Sequence, residues 1–385
     1  MGCRNDSLQI LFYRAMKRLS VILMIFMFFS CQQQEIREVA SSDACLDSLE
    51  IQYAKGFAVN YYEDHKELLV FSPEKKDTLH RYYLSNESKQ GFIQTPVKRL
   101  ASLSSVYAAY IESLGLNDVL VAVDEKDYIS SNSIRNDMEQ RDVIELGGLD
   151  KMNHEALLMA QVDLVYSFGW QGNTAGIAEK HQNISFAYGY EYLEEHPLGR
   201  AEWIRFFACF FNKETEADSI FDLVKTNYEN LKALTADVVY RPKALINMPF
   251  KEQWHMPGGL SYSAHLIEDA GAYYPWDTLK VNRSIPMDWE VVYQKAYDSD
   301  YWINTGAYSS YTEVQKVMPD AVLFEAFRNK KAFNNNARMN GLGGNDYWES
   351  GLLYVDELLA DLIVIFHPEI LPTRALKYYK PLVDE

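Results

Sequence analysis

TPVKRLASLSSVYAAYIESLGLNDVLVAV, residues 95–123, decides how the rest of the chain is read. Two short apolar runs, RLASLS (99–104) and VLVAV (119–123), flank a helix-compatible segment. Each run is too short for an ordinary helix and has the length and apolar content of a buried strand. Strand, helix and strand in that order is the repeating unit of α/β layers with mostly parallel strands.

The unit recurs along the chain. DLVYS (163–167) and ISFAY (184–188) complete one series, and KALINM (243–248), YWINTG (301–306) and AVLFEA (321–326) form a second. Two series predict two lobes, 51–198 and 237–385. Between them, 199–236 carries no strand signal. Thr215 with Asp218 three positions later reads as a helix-opening box, and Ile220, Leu223, Val224, Tyr228, Leu231 and Leu234 make an apolar stripe at helical spacing. One long helix is therefore expected to bridge the lobes, and a helical connector permits only limited closure. A further helix is predicted over 356–366, stopping at Pro368. At the front, FAVNYYEDHKELLVFS and TLHRYYLS predict a short antiparallel hairpin region. Residues 32–50 are polar and acidic with no apolar period, which predicts a flexible tether.

Upstream lies VILMIFMFFSCQQQ, residues 21–34. Its run of about nine apolar residues is too short for a bilayer span, which needs roughly twenty. Lys17 and Arg18 precede it and no basic cluster follows, the charge order of a secretory signal peptide. Ser30–Cys31 resembles a bacterial lipoprotein processing site, which implies a signal region over 1–31 and a lipid on Cys31. Met16 is read as the true start, because a charged n-region normally sits at the terminus.

The net charge of −17 argues against nucleic acid, since phosphate binding needs clustered Lys and Arg. Membrane contact is expected through the lipid alone. Of the four cysteines, Cys45 and Cys209 remain after processing, and Cys209, in FFACFF, reads as a buried free thiol. The eight histidines are scattered, with no CxxC and no H-E-x-x-H, so no metal site is expected. There is no G-x-S-x-G elbow, which ranks an exported hydrolase low. NGLGGN (340–345) lacks the following Lys-Ser or Lys-Thr of a phosphate cradle.

In their order, these segments resemble the periplasmic substrate-binding proteins of iron-chelate and cobalamin ABC importers. The resemblance rests on the stretch at 95–123, on GGLDKMNHEALLMAQVDLVYSFGW, MPGGLSYSAHLIEDAGAYYPW and MDWEVVYQKAYDSDYWINTG, and on the closing GGNDYWESGLLYVDELLADLIVIFHPEILP. It covers roughly residues 95–372. It implies a class III fold, two Rossmann-like lobes with mostly parallel sheets joined by a long rigid helix. It also implies capture of an iron–siderophore complex, with cobalamin or haem as alternatives. The cargo passes unaltered to ABC permease subunits, with no cofactor and no catalytic residue, from a monomer anchored by lipid and facing the periplasm. Glu155 and Glu290 stand where the family presents carboxylates to permease arginines. Ligand contacts are expected in the loops at the carboxyl ends of strands: Phe168, Trp170, Tyr188 and Tyr190 in the first lobe, and Trp254, His255, Ser261, Tyr262 and Tyr308 in the second. Large flat side chains give contact area at little entropy cost. Arg283 or Arg338 is expected to hold the negative charge of a ferric siderophore.

Overall fold

The computed structural model describes residues 44–72, 77–148, 152–169, 181, 183–251 and 253–384. Residues 1–43, with Cys31, and Trp170 lie outside the described residues. Cys45–Glu385 forms one unit. Among the described residues no helix is long and apolar enough to cross a membrane.

The chain enters through a five-stranded sheet, β1 (Asp47–Ser48), β2 (Phe57–Tyr61), β3 (Lys66–Phe71), β4 (Thr78–Ser85) and β5 (Ile93–Gln94), ordered as in the sequence. The first four strands are antiparallel, and β5 runs parallel to β4. Strand alternation sends Phe57, Val59, Leu68, Val70, Tyr82 and Leu84 to one buried face. The expected tether therefore ends earlier than residue 50. Asp47 and Ser48 pair with Tyr61 and Asn60, because the neighbouring strand has free backbone groups at that edge.

The first lobe holds β6 (Leu100–Leu103), β7 (Leu120–Val123), β8 (Ile144–Glu145), β9 (Leu164–Phe168) and β10 (Ser185–Gly189), in the order β10-β9-β6-β7-β8 and all parallel. The four residues of β6 are all buried, as a central parallel strand covered on both faces requires. Helices α1 (Ala108–Ser113), α2 (Asn132–Arg141) and α3 (His154–Met159) connect the strands.

Two helices rather than one occupy the stretch between the sheets: α4 (Pro197–Ala208) and α5 (Glu214–Leu234). They are separated by a 3₁₀ turn at Cys209–Phe211 and by Asn212, whose φ of 53° lies in the left-handed region that Asn tolerates. Pro197 sits in the first turn of α4, where its missing N–H costs no bond. Ten of the twelve α4 residues are buried, Glu202 among them, so the helix is enclosed nearly all round and works as core. Trp203, Phe206 and Phe210 take the inner face of the entry sheet, with Phe57 at 4.9 Å from Trp203 and Tyr82 at 6.1 Å from Phe210 between ring centroids. The α5 helix buries Ala217, Phe221, Val224 and Tyr228. That face is turned from the expected stripe: Leu223 and Leu234 are exposed, because Leu223 stands one residue, about 100°, round from Val224. Lys213 gives α5 no side-chain cap, so the helix opens one residue before Thr215 without the expected box.

The second lobe carries β11 (Ala244–Ile246), an antiparallel ribbon of β12 (Gln253–Pro257) and β13 (Ser284–Asp288), then β14 (Tyr301–Ile303), β15 (Ala332–Asn334) and β16 (Lys380–Pro381). Strands β11, β14 and β15 are parallel, and β16 closes the edge antiparallel. Helices α6 (Tyr262–Asp269), α7 (Trp289–Ala296), α8 (Glu325–Arg328) and α9 (Val355–Phe366) pack around it. The run AVLFEA (321–326) is not a strand. It spans a 3₁₀ turn, Pro319–Leu323, and enters α8. Pro319 presets helical φ at the start of that turn, and Phe324 points into the core against Trp254 and Trp302.

Candidate functional site

A cavity of about 520 Å³ opens where the entry sheet, the first lobe and the second lobe meet. Lys55, Gly56 and Phe71 come from the entry sheet and the segment before it; Tyr190, Leu193, Glu194 and Glu195 from the first lobe; Leu260, Lys280, Val281, Asn282 and Arg283 from the second.

The second-lobe side is shaped by Gly258 and Gly259. The Gly258 N–H donates to the Arg283 carbonyl at 3.1 Å, Gly259 to Leu279 at 2.7 Å, and Leu260 to Val281 at 3.0 Å. A Cβ on Gly258 would stand 2.2 Å from the Val281 carbonyl oxygen, and one on Gly259 2.2 Å from that of Asp277. Only glycine lets the 277–283 backbone lie this close. That close approach carries Lys280 and Arg283 to the cavity. The Lys280 ammonium reaches the Asp277 carbonyl at 3.3 Å, and Arg283 makes no ion pair among the described residues.

On the first-lobe side β10 ends at Gly189, and Tyr190 leads into a 3₁₀ turn, Glu191–Leu193. The Tyr190 ring lies directly over Gly169, where a Cβ would be 1.9 Å from Cζ. Glu195 pairs with Lys55 at 2.8 Å on the exposed rim. Glu194 is buried, and its carboxylate accepts from the Gly56 N–H at 2.8 Å, the Lys55 N–H at 3.0 Å and the Trp203 indole at 3.0 Å. Burial raises its pKa. In the same turn Glu191 is buried with the Tyr107 hydroxyl 3.4 Å away, and burial pushes its carboxyl up to about 7. With Glu194 and Glu195 committed to protein donors, the cations left facing the opening are Lys280 and Arg283.

Of the residues singled out from sequence, Tyr190 and Arg283 come together in this cavity. Phe168 closes β9 half-buried, and Tyr188 is buried in β10 with its N–H donating to the Tyr82 hydroxyl at 3.1 Å. Tyr262 is buried, its ring stacked 4.0 Å beneath the guanidinium of Arg200. That contact joins α4 to α6, and burial lowers the Arg200 pKa. Trp254 does not face a cleft: it is fully buried, donating to the Ile246 carbonyl at 3.0 Å and packing 5.7 Å from Trp302. Ser261 is spent as the cap of α6, its hydroxyl accepting from the Ala264 N–H at 3.3 Å. His255 is exposed on β12, and half-buried Tyr308 accepts from the Asn334 side chain at its backbone carbonyl. Glu155 and Glu290 are both exposed in the first turns of α3 and α7.

Arg338 is tied up elsewhere. It pairs with Asp346 inside the 338–349 loop, which straps the second lobe to the first. There the Glu349 carboxylate accepts from the N–H groups of Ser130 at 2.7 Å and Ser131 at 2.9 Å, at the mouth of α2. The Asn340 amide donates to the carbonyls of Asp127 at 2.6 Å and Ile129 at 3.0 Å. Glu349 is buried, and burial pushes its carboxyl up to about 7.

Sequence reasoning missed Lys280, Lys55 and Phe71. The TLKVNRS stretch (278–284) holds two cations three residues apart, a signal that was there to use. Nothing in the sequence places Lys55 and Phe71, because their approach to the cavity depends on how the entry sheet docks.

The pattern of the family described as "Periplasmic binding protein" matches residues 100–337, more than half of the chain. An uncharacterized lipoprotein of Methanocaldococcus jannaschii is 26% identical over 298 residues, 74% of this chain and 69% of that protein. Among solved structures, a possible iron-binding (periplasmic solute-binding) protein of Staphylococcus epidermidis superposes with a TM-score of 0.55 at 17% identity, covering 71% of this chain and all of that one. The periplasmic heme-binding protein HutB of Vibrio cholerae gives 0.53 at 18% identity, over 68% and 98% of the two chains. These structural likenesses establish the fold.

Proposed function

The chain belongs to the periplasmic binding protein family, and from that premise we propose that it captures a bulky metal chelate between its lobes and delivers it, chemically unchanged, to an ABC permease. An iron–siderophore complex is the proposed cargo; cobalamin or haem is the alternative. The observation that carries this reading is the cavity of about 520 Å³ with the Tyr190 ring on one side and two cations, Lys280 and Arg283, on the other. Its volume lies inside the roughly 300–1,000 Å³ range of small-molecule sites. A chelate bearing negative charge finds there the guanidinium geometry that suits carboxylate and catecholate oxygens. The iron-binding and heme-binding descriptions of the structural relatives agree with this class of cargo. Glu155 and Glu290, exposed on helix first turns of the two lobes, are the proposed permease contacts. A lipid on Cys31 is the proposed anchor, with the protein facing the periplasm.

Native mass spectrometry of the exported chain against ferric siderophores, haem and cyanocobalamin tests the reading. One class is expected to bind at one equivalent and to be weakened about tenfold by Arg283→Ala. A chain that retains none of them, or that releases the chelate altered, refutes it.

A further inference from the structure

We infer that the entry sheet, β1–β5, is a selectivity wall of the ligand cavity, that His80 is the positioning residue for Tyr190, and that the wall favours an anionic chelate with a flat ring face. This rests on the cavity being the ligand site. The sheet ends at Gln94, before the family match begins at residue 100, so the family pattern does not supply it.

Three observations carry the inference. First, the wall is fixed rather than draped. Two buried carboxylates at the start of the helical connection hold the segment that leads into β2: Glu202 accepts from the N–H groups of Gln52, Tyr53 and Ala54 at 2.8–2.9 Å, and Glu194 from those of Lys55 and Gly56. Bonds to a buried charged acceptor are among the stronger protein hydrogen bonds. The Phe71 N–H then donates to the Gly56 carbonyl at 2.8 Å, which sets the end of β3 beside that segment. A Cβ on Gly56 would meet the Trp203 ring at 2.8 Å, so the approach needs glycine.

Second, the sheet reaches the Tyr190 side chain. His80 on β4 places Nε2 3.0 Å from the Tyr190 hydroxyl, with its ring 4.9 Å from that of Tyr188. Burial lowers the His80 pKa, so the imidazole is neutral near pH 7 and can hydrogen-bond to that hydroxyl. Gly169 lies against one face of the Tyr190 ring and His80 meets its hydroxyl, so the largely buried ring is held from two sides.

Third, the walls differ in chemistry. Phe71 and the largely buried Tyr190 give aromatic lining on one side, and Lys280 and Arg283 give positive charge on the other. A ligand using both carries an acidic chelating group and a ring that lies on an aromatic face. A neutral aliphatic chelate uses neither.

The experiment measures dissociation constants of the exported chain by intrinsic fluorescence for two probes, an anionic ferric tris-catecholate and a neutral ferric tris-hydroxamate. Wild type is expected to prefer the catecholate by at least about tenfold. Phe71→Ala and His80→Ala should each weaken catecholate binding about five- to tenfold and leave the hydroxamate within about twofold. His80→Gln, which keeps a group able to bond the Tyr190 hydroxyl, should restore most of the loss. Urea unfolding confirms that each variant is folded, and if His80→Ala does not fold, Phe71→Ala and His80→Gln decide. Equal loss for both probes, or unchanged catecholate binding, overturns this inference while the cavity reading stands. A wild-type chain that binds neither probe nor haem nor cyanocobalamin overturns both.

Discussion

Glu349 makes the strap between the lobes sensitive to pH, and the size of the effect follows from its surroundings. The carboxyl is buried against the mouth of α2, and its pKa stands at about 7 against an ordinary 4.5. A folded-state pKa above the unfolded one means that the folded protein holds the proton more tightly. The stabilisation is therefore complete below about pH 4.5, declines as pH rises, and is gone above about pH 7. Integrated between pH 5 and pH 8, one such group contributes about 2 kcal/mol of pH-dependent stability. Glu349→Gln removes the titration while keeping the shape. One of the two Ser amides then loses an oxygen acceptor, a fixed cost of about 1 kcal/mol that does not vary with pH. The informative quantity is the difference between unfolding free energies at pH 5 and pH 8, taken from urea titrations of wild type and variant. Glu191, raised in the same direction, acts equally in both proteins and cancels. The variant should lose about 2 kcal/mol less than wild type across that interval. An identical fall in the two proteins would refute the reasoning, because Glu349 would then titrate no differently folded and unfolded.

Other outcomes follow from sites already described. Glu194→Ala leaves the Lys55 and Gly56 amides and the Trp203 indole without their acceptor; it should cost about 3 kcal/mol in urea unfolding. Cys45 is exposed, whereas Cys209 is buried with its thiol pushed up to about 12. Peptide mapping after a brief maleimide pulse should find label on Cys45, and on Cys209 only after denaturation. Glu155→Lys and Glu290→Lys should each reduce uptake in cells at least about tenfold with chelate affinity unchanged within about twofold; unchanged uptake would refute the proposed docking role of these acids.

Much of the first lobe was readable because parallel strands covered on both faces are written as unbroken apolar runs: LASL, LVAV and LVYSF stand out from their polar surroundings. The second lobe was harder. Its third strand is only Ala332–Asn334, and the stronger apolar run at 321–326 belongs to helical turns whose buried faces look the same over six residues. The ribbon of β12 and β13 joins segments some thirty residues apart, a pairing that local pattern does not encode. Site residues divide the same way. Tyr190 could be placed by its distance from a strand end, and Arg283 only as one of two candidate cations, whereas Trp254 occupies a loop-adjacent position and still turns inward, because a core formed with Trp302 and Phe324 was not visible in one dimension. Arg200 was hidden inside a segment read as scaffold, and His80 inside a hairpin with no evident tie to the lobes.

The two-residue strand β1 has a mechanical consequence. It is held to β2 by the N–H of Leu46 donating to the Tyr61 carbonyl and that of Leu49 to the Val59 carbonyl, each 2.9 Å. A pull applied at Cys45 is thus borne first by a two-bond hasp on β2, the strand that starts directly after Gly56 at the rim of the cavity. A drag strong enough to unfasten it would loosen the rim of the cavity before it disturbed either lobe.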